Sequence, residues 1–291
     1  MRGERGQVVI IVVVFLLALL GLGALTVDAG SWFRDDRRLQ SGGDAAALAG
    51  AYSLATGGNG VDAANANGVQ NGAPLTTATV STRANPNDTI SVTADHTAAS
   101  FLAGLFGIPS SQRHAVATAQ VFNLTQTDHV VPFAVPQTLA QNWASGSTVT
   151  LTFDNSSSGS SGNFGLLSLC GATPGDIANC LTNGSSSQVG LGPQSIISTG
   201  NKWNSNAVQT ALQTLQDSGK PVLVPVFAPP VLGSGSNAQY NIVGFASFVV
   251  TGHHVSGQVS TITGHFIAMV WQGTSGGGGC FCGASTISLT Q

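Results

Sequence analysis

From Val8 to Val27 the chain carries no charge and almost no polar side chain. At ~1.5 Å per residue those positions cover the ~30 Å hydrocarbon core of a bilayer. The pattern predicts one membrane-spanning helix over 8–27, with Val8, Ile11, Phe15, Leu19, Leu22 and Val27 as anchor residues. Beyond it, Ala45, Leu48, Ala49 and Tyr52 recur at i, i+3, i+4, i+7, so the helix is expected to continue as a stalk to about Gly57 and Gly58, with Gly42 and Gly43 as a weak point. A second short helix is predicted from about Val61 to Val69, stopping at Asn71-Gly72.

The period then changes to that of strands. Thr77 to Arg83 and Thr89 to Ala94 flank the turn former Asn85-Pro86-Asn87-Asp88 and read as a hairpin. Thr97 to Phe106 is expected to be a short helix with Phe101, Leu102, Leu105 and Phe106 turned inward, closed by Gly107 and Pro109. Further on, strands are predicted at Thr148 to Phe153, Phe164 to Leu169, Pro221 to Phe227, Asn241 to Val250 and Val259 to Trp271. Serine- and glycine-rich loops separate them, including a Pro174-Gly175 loop. One amphipathic helix interrupts this run. It starts after Asn204 as N-cap, carries Val208, Ala211, Leu212 and Leu215 on one stripe, and ends at Gly219. The fold class is therefore α+β. Its expected parts are a tail over 1–7 on the cytoplasmic side, the span over 8–27, a stalk with a small α+β unit over 28–121, and a β-rich exterior domain over 122–291.

Charge sets the orientation. Arg2 and Arg5 precede the span, opposed only by Glu4, whereas Arg34, Arg37 and Arg38 follow it among Asp28, Asp35 and Asp36. The short basic tail favours a cytoplasmic amino terminus. A cleaved signal peptide is the competing reading, but its apolar region is usually shorter and ends at a small-residue cleavage site that Ala24 to Ala29 does not offer. Only 7% of residues are charged and Glu4 is the sole glutamate, against about a quarter in ordinary soluble domains. Ser, Thr, Asn, Gln and Gly must carry solubility, which suits an extracytoplasmic surface. Between Phe122 and Gln291 the formal charges are Lys202, Lys220, Asp128, Asp154, Asp176 and Asp217. No basic stripe is available to neutralise phosphates, so nucleic acid is not an expected partner.

The four cysteines fall in two close pairs, Cys170 with Cys180 and Cys280 with Cys282. Disulfides fit an exported protein, and a Cys170–Cys180 bond would close a short loop. For Cys280 and Cys282 a small ring, cross-pairing with the first two, or free thiols all stay open. Four thiolates also suit a tetrahedral metal, but the CxC and C-x9-C spacings are not those of the usual knuckles, and no cofactor is expected.

Candidate catalytic chemistry is thin. Gly273-Thr274-Ser275-Gly276-Gly277 satisfies G-x-S-x-G, a motif that works on a strand-to-helix elbow, yet it runs on into Gly278 and Gly279 and reads as a linker. His253 and His254 would point to opposite faces of a strand, and His96, His114, His129 and His265 lack the spacing of a helical metal site. Asp154 and Asp176 are the acids nearest the glycine-rich loops and read as turn residues. Trp143, Trp203, Trp271 and Phe281 are candidates for an aromatic recognition platform, with core packing as the plainer use. Trp32 and Phe33 sit where aromatic rings favour a membrane interface. An enzyme is not expected.

The run RGQVVIIVVVFLLALLGLGALTVDAGSWFRDDRRLQSGGDAAALAGA, residues 5–51, resembles the amino-terminal signature of TadG-like Flp/Tad pilus-assembly proteins. There RGQ precedes the span, V-D-x-G follows it, and R-R-L-Q leads into D-A-A-A-L-A-G-A. AANANGVQNG and VTADHTAASFLAGLFGIPSSQRHAVATAQV are similar to the family's following helix, strand, Phe-containing helix, Gly-Ile turn and final strand. The resemblance implies a retained single-pass anchor and an extracytoplasmic part. It also implies a role in pilus assembly or anchoring through other Tad/Flp proteins or pilin. An anchored surface binding module or adhesin is the alternative. Gly21, Gly23 and Ala24 in the span, and Ala45, Leu48, Ala49 and Tyr52 beyond it, are candidates for helix packing and for oligomerisation through this helix.

Overall fold

The computed structural model describes residues 4–141, 146–154, 165–196, 202–232, 238–255, 259–276 and 278–290. The apolar run and the stalk form one continuous helix, α1 (Glu4–Ala55), followed by α2 (Gly60–Gln70). Asn59 caps α2, its side chain accepting from the amides of Val61 and Asp62, which serves donors that have no partner inside the helix. In chain order there follow β1 (Leu75–Ser81), β2 (Thr89–Ala99), β3 (Ser110–Thr127), β4 (Phe133–Pro136), α3 (Gln137–Ala140), β5 (Thr148–Asp154) and β6 (Gly165–Leu166). Then come α4 (Pro174–Asn183), β7 (Val189–Gly190), β8 (Gly192–Ser195), α5 (Asn206–Ser218), β9 (Pro221–Leu232) and β10 (Gln239–Val255). The remaining strands are β11 (Val259–Ile267), β12 (Met269–Val270), β13 (Thr274–Ser275) and β14 (Ala284–Thr290).

Two mixed sheets result. The first runs β1-β2-β3-β14-β12, with β13 and β7 also paired to β3. Its core joins Ala47, Ala51, Ala55 and Ala64 of the two helices to Ile90, Val92, Ala117, Ala119 and Val121 of the strands. The second runs β5-β11-β10-β9-β4-β6, with β8 added on β10. It packs beneath α4 and α5 around Phe133, Trp203, Leu212, Val224 and Phe248. The two sheets are not separate in the chain. β3 crosses position 121/122, where the sequence reading placed a boundary, and β14 returns from residue 284 to pair with β3 from Ser285↔Asn123 to Thr290↔Thr118. A third cluster, with Leu124, Leu223, Phe245 and Ala284, packs strands of both sheets together.

Most sequence-predicted elements are present, with some differences. The strand read at Val259 to Trp271 divides into β11 in the second sheet and β12 in the first, and of the strand read at Phe164 to Leu169 the structure forms β6 over Gly165–Leu166, Phe164 lying outside the described residues. Thr97 to Ala99 extend β2 and pair with Ser110 to Gln112. Only Ala103–Phe106 turns, as one 3-10 turn capped by Gly107, and Phe101 and Leu105 stand 83% and 82% exposed instead of inward. Strand pairing across the turn overrides the local helical pattern. The Pro174-Gly175 loop is the first turn of α4: Pro174 occupies the position that tolerates its missing N–H, and Thr173 and Asp176 form a reciprocal capping box. Gly42 and Gly43 do not weaken α1. Both are buried, and a Cβ on Gly42 would lie 2.5 Å from the Ala73 methyl, so the residue permits a close approach of chain. The amphipathic helix keeps its stripe, with Ser205 in place of Asn204 as the cap.

Candidate functional site: the clasp between helix and domain

α1 is lipid-like over its first half and domain-facing over its second. Val8, Ile11, Phe15, Leu19, Leu22 and Val27 are between 49% and 68% exposed, as expected of a helix whose partner is a bilayer. The run is long and apolar enough to cross a membrane once. From Ala24 onward one face becomes progressively occupied. Ala24, Asp28, Leu39, Ala46, Ala47, Ala51 and Ala55 are all buried, at separations close to whole helical turns that keep them on one side of the cylinder. Alanine and glycine on that stripe bring the helix axis close to β2, β3 and α2.

The clasp begins at Asp28, which is fully buried. Its carboxylate accepts from the backbone N–H groups of Phe101 at 2.6 Å, of Leu102 at 3.0 Å, and of Ala103. Those three amides lead into and open the 3-10 turn, where a helical turn offers them no acceptor, so the acid supplies what the loop lacks. Two turns later Asp36 meets the Arg113 guanidinium at 3.2 Å. The same guanidinium lies 5.3 Å from the ring centre of Trp32. Phe33, 58% exposed, carries Arg37 over its ring at 4.5 Å. At the far end, Gly50 is pressed against α2 and β2: a Cβ there would lie 2.9 Å from the Gly60 carbonyl oxygen and 2.6 Å from Ile90 Cδ1.

The packing candidates read from sequence distribute around this stripe. Ala45, Leu48 and Ala49 are half-buried and Tyr52 is 53% exposed, so they flank the buried face. Gly21 and Gly23 have open space where a side chain would be; Ala24 is already covered within the chain, at 5% exposure. Sequence reasoning passed over Asp28 as a site residue. The signal was there in a lone acid at the end of an apolar run.

The cysteines form Cys170–Cys180 and Cys280–Cys282 disulfides. The second sits where both sheets meet: Cys280 donates its N–H to Val243 of β10 at 2.6 Å, while Phe281 packs on the core beneath α1. Trp203 lies in the core of the second sheet and Trp271 donates to Ser247 Oγ at 2.7 Å. These rings therefore do not share a surface, and Trp143 lies outside the described residues.

The other chemistry candidates are dispersed as well. His114 bonds Asp95 at 2.6 Å, His129 bonds Asp128 at 2.8 Å, and His253 bonds Gln216 at 3.0 Å. The hydrogen bonds from His114 and His129 hold the Asp95 and Asp128 carboxyls below the usual range. Burial pushes the His253 imidazole down, partly offset by Asp217. Ser275 lies in β13 beside β3, on no strand-to-helix elbow. Asp176 serves α4 as its cap, and the side chain of Asp154 is outside what is described. Among the described residues no group of three His, Cys, Asp or Glu side chains is placed to hold a metal. A shallow groove of about 240 Å³ beside the hairpin is lined by Leu54, Gly58, Asp88, Val121 and Phe281. Its one carboxylate is already engaged, by the amides of Arg83, Ala84 and Asn85.

The class defined here is that of a single helix, long enough to cross a membrane, clasped to an α+β body. Residues 6–53 match the protein family described as "Putative Flp pilus-assembly TadE/G-like". The resemblance read from the sequence thus holds over the span and the stripe as far as residue 53. No curated protein matches the chain, and no solved structure does.

Proposed function

We propose that the protein is a single-pass component of Flp/Tad pilus assembly or anchoring. Its body stands on the extracytoplasmic side and acts by protein–protein contact, not by catalysis. The observation that carries this reading is the use made of the family segment. Beyond the span, its acid, leucine, alanines and glycines are spent on fixing a folded body to the membrane helix. Such residues hold and present a surface; they do not perform a reaction. The basic residues before the span and the two disulfides support the exterior placement.

The test is genetic and biochemical together. Deletion of the gene should abolish or reduce Flp pili, and the full chain purified from native membranes should bring pilin or other Tad membrane proteins with it. Normal piliation in the deletion strain, with the chain retained on cell-wall glycan, would replace this reading by that of a surface binding module.

A further inference from the structure

The segment Ser100–Pro109 leaves a puzzle that the clasp does not absorb. Phe101, Leu105 and Ile108 are 83%, 82% and 52% exposed, an unusual display for three large apolar side chains in a stretch of eight. A soluble loop would gain nothing from it. The position of the loop supplies the reason. Its amides are bound to Asp28, the residue directly after the predicted span, so the loop cannot stand far above the bilayer. Its 3-10 turn packs on α1. Ala24, one helical turn before Asp28 on the same face, is 5% exposed while Leu22, Leu25 and Val27 are 52% to 62% exposed. Ala24 lies about 6 Å along the axis from Asp28, inside the stretch that spans the hydrocarbon core.

We infer that the Phe101–Ile108 loop is a second membrane contact, with Phe101, Leu105 and Ile108 inserted into the adjoining leaflet at the level of the headgroup and acyl boundary. Three observations converge on a lipid occupant: apolar side chains left half or more exposed by the described residues, a tether of fixed height on the spanning helix, and continuity with that helix's own lipid-facing surface. Interfacial elements bury their apolar faces roughly 5–10 Å into that boundary, a depth that a loop held by Asp28 at the end of the span meets without moving. Asp28 is then a positioning residue: its carboxylate satisfies the three loop amides that would otherwise be carried toward lipid unpaired. Two contacts, a helix and a loop, fix the tilt of the body, which one helix alone does not.

The inference rests on the reading of α1 as a membrane span, and the experiment separates the two. The full chain is reconstituted in phosphatidylcholine vesicles with a nitroxide on Leu105→Cys, on Phe15→Cys in the span, or on Val69→Cys in α2, the native cysteines being paired. Collision with oxygen and with a water-soluble nickel chelate is then measured. At Leu105 and Phe15 oxygen collisions should exceed nickel collisions, and at Val69 the order should reverse. A Leu105 label that favours nickel while Phe15 favours oxygen overturns the loop contact and leaves the span intact. If both favour nickel, span and loop contact fail together. A Leu105 label shielded from both agents means that a second copy covers the loop, which overturns the lipid contact.

Discussion

Gly43 and Gly50 lie one heptad apart on α1, both buried, and the same substitution should move stability in opposite directions at the two positions. Alanine removes the backbone-entropy cost of a helical glycine, a gain of about 0.5–1 kcal/mol. At Gly43 nothing opposes that gain, since the nearest atom to a new methyl is the Ala117 Cβ at 3.8 Å, an ordinary contact. At Gly50 the methyl would stand 2.9 Å from the Gly60 carbonyl oxygen, 2.6 Å from Ile90 Cδ1 and 3.2 Å from the Ala64 Cβ. The first of these is backbone, and Ile90 is fully buried, so α2 must shift away from α1. Overpacking of that kind costs about 1–3 kcal/mol, which outweighs the gain. Gly43→Ala should be more stable than the parent, Gly50→Ala less so, and since the entropic gain is common to both, the two should differ by the overpacking cost alone, roughly 1–3 kcal/mol. For a body of this size each kcal/mol moves the midpoint by about 2–4 °C. Thermal unfolding of the full chain in detergent micelles, followed by near-UV circular dichroism, reads the difference. Equal shifts of the same sign would show that α1 and α2 are not in the close contact on which the clasp depends.

Two further outcomes follow from side chains already placed. Burial works to raise the Asp88 pKa, but the amides of Asn85, Arg83 and Ala84 and the Thr89 hydroxyl bond the charged form and hold it below the usual carboxylate value. The folded pKa lies under the unfolded one, so the contribution is complete above the unfolded value near 3.9 and is lost as pH falls through the folded value. Asp88→Ala should cost about 1–3 kcal/mol at neutral pH by stranding the hairpin amides, and its deficit should shrink in denaturant titrations below about pH 4; a deficit independent of pH would refute the assignment. Replacing Cys170 and Cys180 together by serine should destabilise by about 2–3 kcal/mol, the chain-entropy value for a loop of this length; unchanged denaturation midpoints would mean that the bond is absent in the purified protein.

The elements that sequence made legible are those whose reasons are local. The span needs only an uninterrupted apolar run, the hairpin only its Asn-Pro-Asn-Asp turn, and α5 only its Val208, Ala211, Leu212, Leu215 stripe with a small polar cap. What escaped depends on partners far away in the chain. Phe101 and Leu105 carry a helical spacing, yet the strand pairing of Thr97 to Ala99 with Ser110 to Gln112 and the carboxylate of Asp28 settle the conformation there. The α4 helix was hidden by Pro174-Gly175, although Thr173 and Asp176, three residues apart, are a capping signal when the proline is placed at the first helical position. The glycine pair in the stalk was legible as glycine but not as contact, because Ala73 and Ala117 are distant in sequence. The clasp was half visible: the family-like motif was recognisable, while the task of its acid was not.

β14 has a consequence for how the molecule comes into being. Synthesis delivers α1, α2 and β1 to β3 first, but the central sheet position beside β3 stays vacant until residues 284–290 have emerged, more than 150 residues later. Until then β3 offers an unpaired edge, and closing so distant a contact is slow. The sheet that carries α1 is thus the last to be sealed, and an immature molecule would present that edge to its surroundings.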